Sequence, residues 1–193
     1  KELEVLSLDL RHPNIVEFIG VSLFKEARTV ALVFEFMGGG TLEDYFDSRT
    51  SEGVLHTVPF KQALSWSLQL FAGLTFLHGK DSPVIHRDLK PCNLMLSSDL
   101  KTLKMRDFGI SKAADLGQLI LPRRDAKPEI KTDLSLLSTP TAKRYTGTPR
   151  YMAPEIEKGS SNYTPAVDVY SSALIMWFVL EGERPWERHH GHV

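Results

Sequence analysis

The stretch VIHRDLKPCNLML, residues 84–96, decides how the rest of the chain is interpreted. Its middle is polar, and the apolar residues on both sides predict short buried strands. A charged loop between two hydrophobic segments is usually kept for chemistry. We expect Asp88, Lys90 and Asn93 to reach one small volume. Such a set can accept a proton, balance phosphate charge and hold a divalent cation.

The residues before this loop predict a helix end and a strand hairpin. Residues 1–10 carry leucines at helical spacing and predict the end of an amphipathic helix. Residues 15–20 and 29–36 are rich in β-branched and aromatic residues and predict two strands around a charged turn at 25–28. The glycines at 38–40 predict a flexible connector or hinge after the second strand.

Two helices are predicted between the glycines and the loop. Thr41 and Asp44 have the spacing of a capping box, which predicts a short helix. A longer helix is predicted up to His78 and Gly79, a typical helix stop. Its apolar face is predicted to consist of Phe60, Leu64, Leu68, Phe71, Leu74 and Leu77.

The residues after the loop predict one strand, a long irregular segment and one more helix. Residues 102–105 have a strand pattern, whereas residues 113–145 show no sustained period and predict a long mobile loop. Residues 165–180 predict a helix that is apolar nearly all round, so we expect it to be buried. Gly182 is expected to end it.

The composition is that of an ordinary globular domain. The chain has 193 residues, of which 42% are hydrophobic and 24% charged, and its net charge of −1 gives no bulk attraction to nucleic acid. Cys92 is the only cysteine, which favours a reducing, cytoplasmic setting. The longest apolar run, residues 173–180, is too short for membrane insertion. The absence of an initial methionine predicts a fragment of a longer protein.

Three further motifs follow the loop in a fixed order. They are DFG at 107–109, APE at 153–155 and an aspartate inside the last helix, Asp168. With the HRDLKPCN motif of residues 86–93, they make the chain resemble a eukaryotic-type protein kinase catalytic domain. The run GTPRYMAPE at 147–155 resembles serine/threonine kinases of the tyrosine-kinase-like group.

This resemblance implies an α+β fold of the two-lobed kinase type. Residues 1–37 would be what remains of a truncated N-lobe, namely the end of its first helix and two strands. Residues 38–193 would form a partial, mostly helical C-lobe. This C-lobe would contain the catalytic loop, the activation segment at about 107–155 and the buried helix at about 165–180.

The resemblance also implies the roles of the catalytic residues. Asp88 would accept the proton of the substrate hydroxyl, and Lys90 would neutralise charge on the transferring phosphate. Asn93 and Asp107 would hold Mg²⁺, which prefers oxygen ligands, at the phosphates of ATP. Asp168 would brace the backbone of the loop, which offsets the cost of burying its charge.

A second group of residues would bind the nucleotide, by the same resemblance. Phe34 would be the gatekeeper beside the adenine pocket, while Glu35 and Met37 would offer backbone groups to the adenine edge. Met95 would form part of the pocket floor, and plain core packing is the alternative for this residue.

Two assignments concern the parts of a kinase that control activity. Glu2 is the preferred match for the glutamate that pairs with the ATP-binding lysine, with Glu4 as the alternative. That lysine and the Gly-rich loop would precede residue 1. Arg87 beside Asp88 implies that the activation segment is ordered by phosphorylation, at Thr139 or Thr141.

Two functions are compatible with these motifs. The first is a protein serine/threonine kinase in signal transduction, which uses Mg²⁺ and transfers the γ-phosphate of ATP to a protein substrate. The alternative is a pseudokinase that acts as a scaffold. Intact Asp88, Asn93 and Asp107 favour the enzyme, although the fragment alone is expected to be inactive. Neither a nucleic-acid partner nor membrane insertion is expected.

Overall fold

A computed structural model describes residues 10–24, 29–50, 56–106, 150–158 and 164–186. Most of the helix predicted at 1–10 and the whole loop predicted at 113–145 lie outside these residues. The regular elements in chain order are β1 (Phe18–Phe24), β2 (Thr29–Phe34), α1 (Leu42–Asp47), α2 (Phe60–His78), a 3-10 turn (Pro91–Asn93), β3 (Leu94–Leu96), β4 (Leu103–Met105), α3 (Pro154–Glu157) and α4 (Ala166–Glu181). Helix and strand content is therefore mixed.

The first two strands form the predicted antiparallel hairpin, with Phe18 opposite Phe34 and a register irregularity before Gly20. The first strand begins later than predicted, because Ile15 forms an isolated parallel bridge with Met105 instead. The Val16 N–H donates to the Met105 carbonyl at 2.8 Å. Residues 15 and 16 are thus bound to β4, whereas Glu17 lies beside Glu35 at the end of the hairpin.

The glycines at 38–40 connect β2 to α1, as predicted for a connector or hinge, and Gly39 packs tightly against the end of β3. The Gly39 N–H donates to the Leu96 carbonyl, and the Leu96 N–H donates to the Gly40 carbonyl, both at 2.9 Å. A Cβ atom on Gly39 would lie 2.4 Å from the carbonyl oxygen of Ser97. Close approach of two backbones requires glycine here.

Helix α1 begins with the predicted capping box. The Asp44 N–H donates to the Thr41 hydroxyl at 3.0 Å, and the Thr41 N–H donates to the Asp44 carboxylate at 3.2 Å. Hydrogen bonding from the Thr41 side chain and from the Thr41 backbone holds the pKa of the Asp44 carboxyl below its usual value.

Helix α2 has the predicted end at His78, but its buried face differs from the predicted one. Phe60 and Leu68 are 70% and 61% exposed, and Leu64 is exposed as well. The helix carries apolar residues on several sides, so their spacing alone does not select a face. The Trp66 indole selects it, because it is buried and its N–H donates to the Leu100 carbonyl at 2.9 Å. The buried residues of α2 are Ala63, Trp66, Ser67, Leu70, Gly73, Leu74 and Leu77.

Helix α4 follows Pro165 and ends at Gly182, which adopts the left-handed conformation with φ 73°. The predicted burial of this helix holds for one side only. Val169, Trp177 and Leu180 are exposed. Its buried residues lie on the opposite side and are Val167, Asp168, Ser171, Ser172, Ile175, Phe178 and Val179. None of the helices within the described ranges is long and apolar enough to cross a membrane.

The core lies between α1, α2, α4 and the β3–β4 ribbon. The rings of Phe46 and Phe178 join α1 to α4, with 4.5 Å between their centroids. The apolar segment at 84–85 is buried or half-buried but is not the strand that was predicted. The Val84 N–H donates to the Leu77 carbonyl at the end of α2. The loop therefore begins from the core and returns to it through β3.

Candidate active site

A buried carboxylate fixes the start of the loop. Asp168 on α4 is fully buried, and its two oxygens accept hydrogen bonds from the backbone N–H groups of His86 at 2.8 Å and Arg87 at 2.9 Å. Arg87 has φ 70°, a left-handed conformation that costs a non-glycine residue roughly 1–2 kcal/mol. The predicted brace is confirmed, and it holds the backbone in a conformation that the chain would otherwise avoid.

Asp168 has two further partners that sequence reasoning missed. The His78 imidazole lies 2.8 Å from its Oδ2 atom, and the Ser172 hydroxyl donates to its backbone carbonyl at 2.7 Å. His78 is the last residue of α2, so the carboxylate joins the ends of two helices to the loop. The available signal was a lone histidine at the end of an apolar helix.

The partners of His86 identify its protonation state. Its Nε2 atom lies 2.9 Å from the Arg106 carbonyl, which can only accept, so Nε2 carries the hydrogen. Its Nδ1 atom faces the Asp88 N–H at 3.4 Å and acts as the acceptor. Burial lowers the pKa of this imidazole, against a smaller raising effect of the Asp168 and Asp88 charges. His86 is a neutral, buried link between the loop and the end of β4.

The structure brings Asp88, Lys90 and Asn93 together. The Lys90 ammonium lies 2.8 Å from Oδ2 of Asp88, and both side chains are partly exposed. The Asn93 amide donates to the Asp88 carbonyl at 2.8 Å and to the same Oδ2 atom at 3.1 Å. Asp88 therefore faces solvent in a fixed orientation beside a cation, a geometry suited to binding a hydroxyl next to an anionic group.

Asn93 is buried, and its amide hydrogens are directed at Asp88. Its other side-chain atom, Oδ1, is an oxygen of the kind that hard cations prefer. The Asn93 carbonyl accepts the Arg106 N–H at 3.0 Å, which holds the end of β4 next to the loop. Asp107, the other predicted oxygen ligand, follows Arg106 in the sequence and lies outside the described residues.

A second group of predicted residues surrounds the connection between β2 and α1, residues 35–40, which we call the hinge. Phe34 ends β2 and packs edge-on against Phe18 at 5.5 Å. Met37 is buried. Met95 forms an isolated bridge with Thr41, so β3 runs alongside the end of the hinge.

Cross-strand register shows which way Met95 faces. Met95 is opposite Lys104 in the β3–β4 ribbon, so the two side chains leave the same face. Lys104 reaches the Glu35 carboxylate, with Nζ–Oε distances of 2.6 and 2.8 Å. That face is therefore turned towards the hinge, and Met95 lies on it.

Comparison with known proteins assigns the chain that carries this loop and this hinge to a family. The family model of the protein kinase domain matches residues 1–193. The chain belongs to the protein kinase family. This finding agrees with the resemblance to serine/threonine kinases that the motifs indicated.

Named relatives of this kinase domain come from several organisms. Serine/threonine-protein kinase VIK of Arabidopsis thaliana is 36% identical over 185 residues, which are 95% of this chain and 36% of that protein. Mitogen-activated protein kinase kinase kinase 7 of Drosophila melanogaster is 32% identical, over 97% of this chain and 23% of that protein. A seven transmembrane domain-containing tyrosine-protein kinase of Dictyostelium discoideum is also 32% identical, over 96% and 22%. The chain spans little more than a third, at most, of these three relatives.

Two predicted site residues of the kinase domain, Asp107 and Glu2, lie outside the described residues. Within the described part of the chain, no group of three His, Cys, Asp or Glu side chains is placed to hold a metal ion. Sequence reasoning missed the side-chain contact of Glu35 with Lys104, since it assigned Glu35 a backbone role alone. The signal was Lys104 itself, a charged residue between two apolar ones in a three-residue strand.

Proposed function

We propose that this kinase domain transfers the γ-phosphoryl group of ATP to a serine or threonine hydroxyl of a protein substrate. The arrangement of Asp88, Lys90 and Asn93 on a braced loop is the observation that carries the proposal. Phosphoryl transfer requires alignment and charge neutralisation more than covalent chemistry from the protein. Membership of the kinase family supports this reaction, and the likeness to serine/threonine-protein kinase VIK supports this acceptor.

Asp88 would orient the attacking hydroxyl and accept its proton. Its Oδ2 atom is occupied by Lys90 and Asn93, so Oδ1 is the oxygen that we assign to the substrate. As the oxygen attacks the γ-phosphorus, its proton passes to Asp88 and the bond to ADP breaks. Lys90 would stabilise the negative charge on the transferring group.

The oxygen atoms of Asn93 and Asp107 fit Mg²⁺, and we propose that they hold it. When bound, the ion neutralises charge on the phosphates. The protein contributes orientation to this site, because Asn93 is buried and its amide is fixed by Asp88. Glu2, as the partner of an ATP-binding lysine, remains a prediction from spacing.

The hinge would bind adenine through its backbone. The Glu35 N–H already donates to the Glu17 carbonyl at 2.9 Å, and the Glu17 N–H donates to the Glu35 carboxylate and leaves the Glu35 carbonyl to other donors. We therefore assign the Glu35 carbonyl and the Met37 N–H to the adenine edge. Phe34 and Met95 would supply the apolar surface that an aromatic base requires.

We further propose that residues 1–37 and 38–193 contribute to two lobes, and that the protein acts in the cytoplasm. Phosphorylation of the activation segment, at Thr139 or Thr141, would regulate it through the Arg87 guanidinium. Phosphatase treatment of the purified full-length protein should then lower its activity, and mass spectrometry should find the lost phosphate within residues 107–155. Unchanged activity after complete dephosphorylation would remove this regulatory proposal.

The experiment that tests the proposed reaction is ATP-dependent labelling of a generic protein substrate by the full-length protein. Labelling should appear on serine or threonine and should be abolished in Asp107→Asn, the matched isosteric control. Labelling of tyrosine would show that the acceptor is a tyrosine hydroxyl and that the proposed acceptor is wrong. Equal labelling by both proteins would overturn the kinase assignment and favour the scaffold alternative.

A further inference from the structure

The Glu35 carboxylate connects three separate segments of the molecule. Both of its oxygens contact the Lys104 ammonium, at 2.6 and 2.8 Å. Its Oε1 atom also accepts the Glu17 N–H at 2.7 Å. The Lys104 and Glu35 side chains are only 18% and 24% exposed, so water and salt screen this pair less than a surface ion pair. The hinge, the segment before β1 and strand β4 therefore meet at one carboxylate.

Lys104 projects from a strand that is itself firmly held. Its neighbours Leu103 and Met105 are buried in the core. The Leu103 N–H donates to the Gln69 side chain at 2.8 Å, and the Leu103 carbonyl accepts the Asn14 amide at 2.9 Å. The Met105 N–H donates to the Asn14 carbonyl at 2.9 Å. The backbone on both sides of Lys104 is thus fixed to α2 and to the turn before β1.

A fixed cation that holds the side chain of a hinge residue also limits rotation of that residue's backbone. Glu35 is held at its N–H by the Glu17 carbonyl and at its carboxylate by Lys104 and the Glu17 N–H. With its N–H and its side chain fixed, fewer orientations are open to its carbonyl. Protein groups that are already held in their binding geometry bind a ligand more tightly, because less conformational freedom is lost on binding.

We propose that Lys104 is a positioning residue for nucleotide binding, which fixes Glu35 so that the hinge backbone meets adenine in one geometry. This inference rests on the proposed function. It assigns to Lys104 a role in ATP affinity and none in the phosphoryl-transfer step, because Lys104 contacts the hinge and lies on a different element from the catalytic loop.

The test is the Lys104→Met variant of the full-length protein, in which the stem of the side chain is kept and the charge is lost. We expect the KM for ATP to rise about tenfold while kcat stays within about twofold. The lost interaction would stabilise the bound substrate and the transition state equally. Lys104→Arg should recover most of the affinity. Lys101→Met is the matched control: the Lys101 side chain is 80% exposed and lies 3.7 Å from Asp99, so its removal should leave KM unchanged.

The outcomes separate this inference from the proposed function. ATP binding by the unaltered protein is measured first, by calorimetry, and its absence would refute the proposed function and with it the inference. If ATP binds and Lys104→Met binds it equally well, the inference alone fails. A fall in kcat at constant KM, or no recovery with Lys104→Arg, would also overturn it. Glu35→Gln, which keeps an acceptor for Glu17, provides the same comparison should Lys104→Met not fold.

Discussion

The catalytic loop at residues 86–93 and the hinge are both short segments fixed by a carboxylate, but the two carboxylates have different surroundings. Asp168 is fully buried and binds backbone N–H groups and a histidine. Glu35 is about a quarter exposed and binds a lysine. The hinge has additional support from Gly39, which lies against the carbonyl groups of residues 96 and 97.

This difference predicts how strongly a substitution at each carboxylate affects its segment. A buried donor that loses its acceptor finds no water to replace it, so a change at Asp168 has a large effect. A partly exposed ion pair can be replaced by water and salt, so a change at Glu35 or Lys104 has a graded effect. The loop is held in one conformation, whereas the hinge is held less strongly, and we propose that the hinge controls nucleotide affinity.

The largest expected effect on stability comes from Asp168→Ala. The substitution leaves the N–H groups of His86 and Arg87 and the His78 imidazole without their acceptor. We expect the free energy of unfolding, measured by urea denaturation of the full-length protein, to fall by about 3–5 kcal/mol. Phosphotransfer should be lost as well, because Arg87 would leave its left-handed conformation.

Asp99→Ala is the control for that substitution. Asp99 is an exposed aspartate that also accepts hydrogen bonds, from the Ser97 hydroxyl and the Lys101 N–H. Water can replace it, so only a small loss of stability is expected. Similar losses for the two variants would show that the brace is no stronger than a surface turn.

The hinge is tested by Gly39→Ala. The added methyl group would lie 2.4 Å from the Ser97 carbonyl oxygen and 2.8 Å from the Leu96 carbonyl oxygen, and backbone atoms cannot move aside cheaply. We expect a loss of about 1–3 kcal/mol in the free energy of unfolding, together with weaker ATP binding. Gly20→Ala is the matched control, because no atom lies within 4 Å of a Cβ at that position. A loss no larger than that of Gly20→Ala would contradict the close packing of the hinge on β3.

A smaller effect is expected from pH, and it is specific to the loop. Burial lowers the pKa of His86 in the folded protein, so the unfolded protein takes up its proton first as the pH falls. This contribution to stability is complete above the unfolded pKa of about 6.5 and is lost as the pH falls towards the folded pKa. The free energy of unfolding should therefore decrease more between pH values of about 7.5 and 5.5 in the unaltered protein than in His86→Gln.

His12, whose pKa is also lowered by burial, is present in both proteins, so its contribution cancels in that comparison. Identical pH profiles for the two proteins would mean that His86 is not held as the neutral tautomer.

Most of the fold could be predicted, because the signals are local. The capping box of Thr41 and Asp44 and the stop at Gly79 depend on neighbouring residues alone. The buried face of α2 could not be predicted, since apolar residues occur on several of its sides. The Trp66 indole decides it through a hydrogen bond to Leu100, a contact far apart in sequence. Exposure of Trp177 on α4 is missed for the same reason, because composition cannot show which side of a helix has a neighbour.

The site was predictable where motif residues are close in sequence and unpredictable where they are not. Asp88, Lys90 and Asn93 fall within one loop, and the structure brings them together. The contacts of His78 with Asp168 and of Lys104 with Glu35 join residues that no local pattern connects. His78 and Lys104 are polar or charged residues beside apolar ones. This contrast is the only indication of their contacts in the sequence.

The proposed role of Asp88 in phosphoryl transfer can be measured as single-turnover phosphotransfer by the full-length protein. We predict that Asp88→Asn lowers the rate by about 10²–10⁴-fold, the usual contribution of a general base, while the dissociation constant of ATP changes by no more than about twofold. If Asp88→Asn binds ATP as the unaltered protein does and its rate is unchanged, Asp88 is not the general base of the reaction.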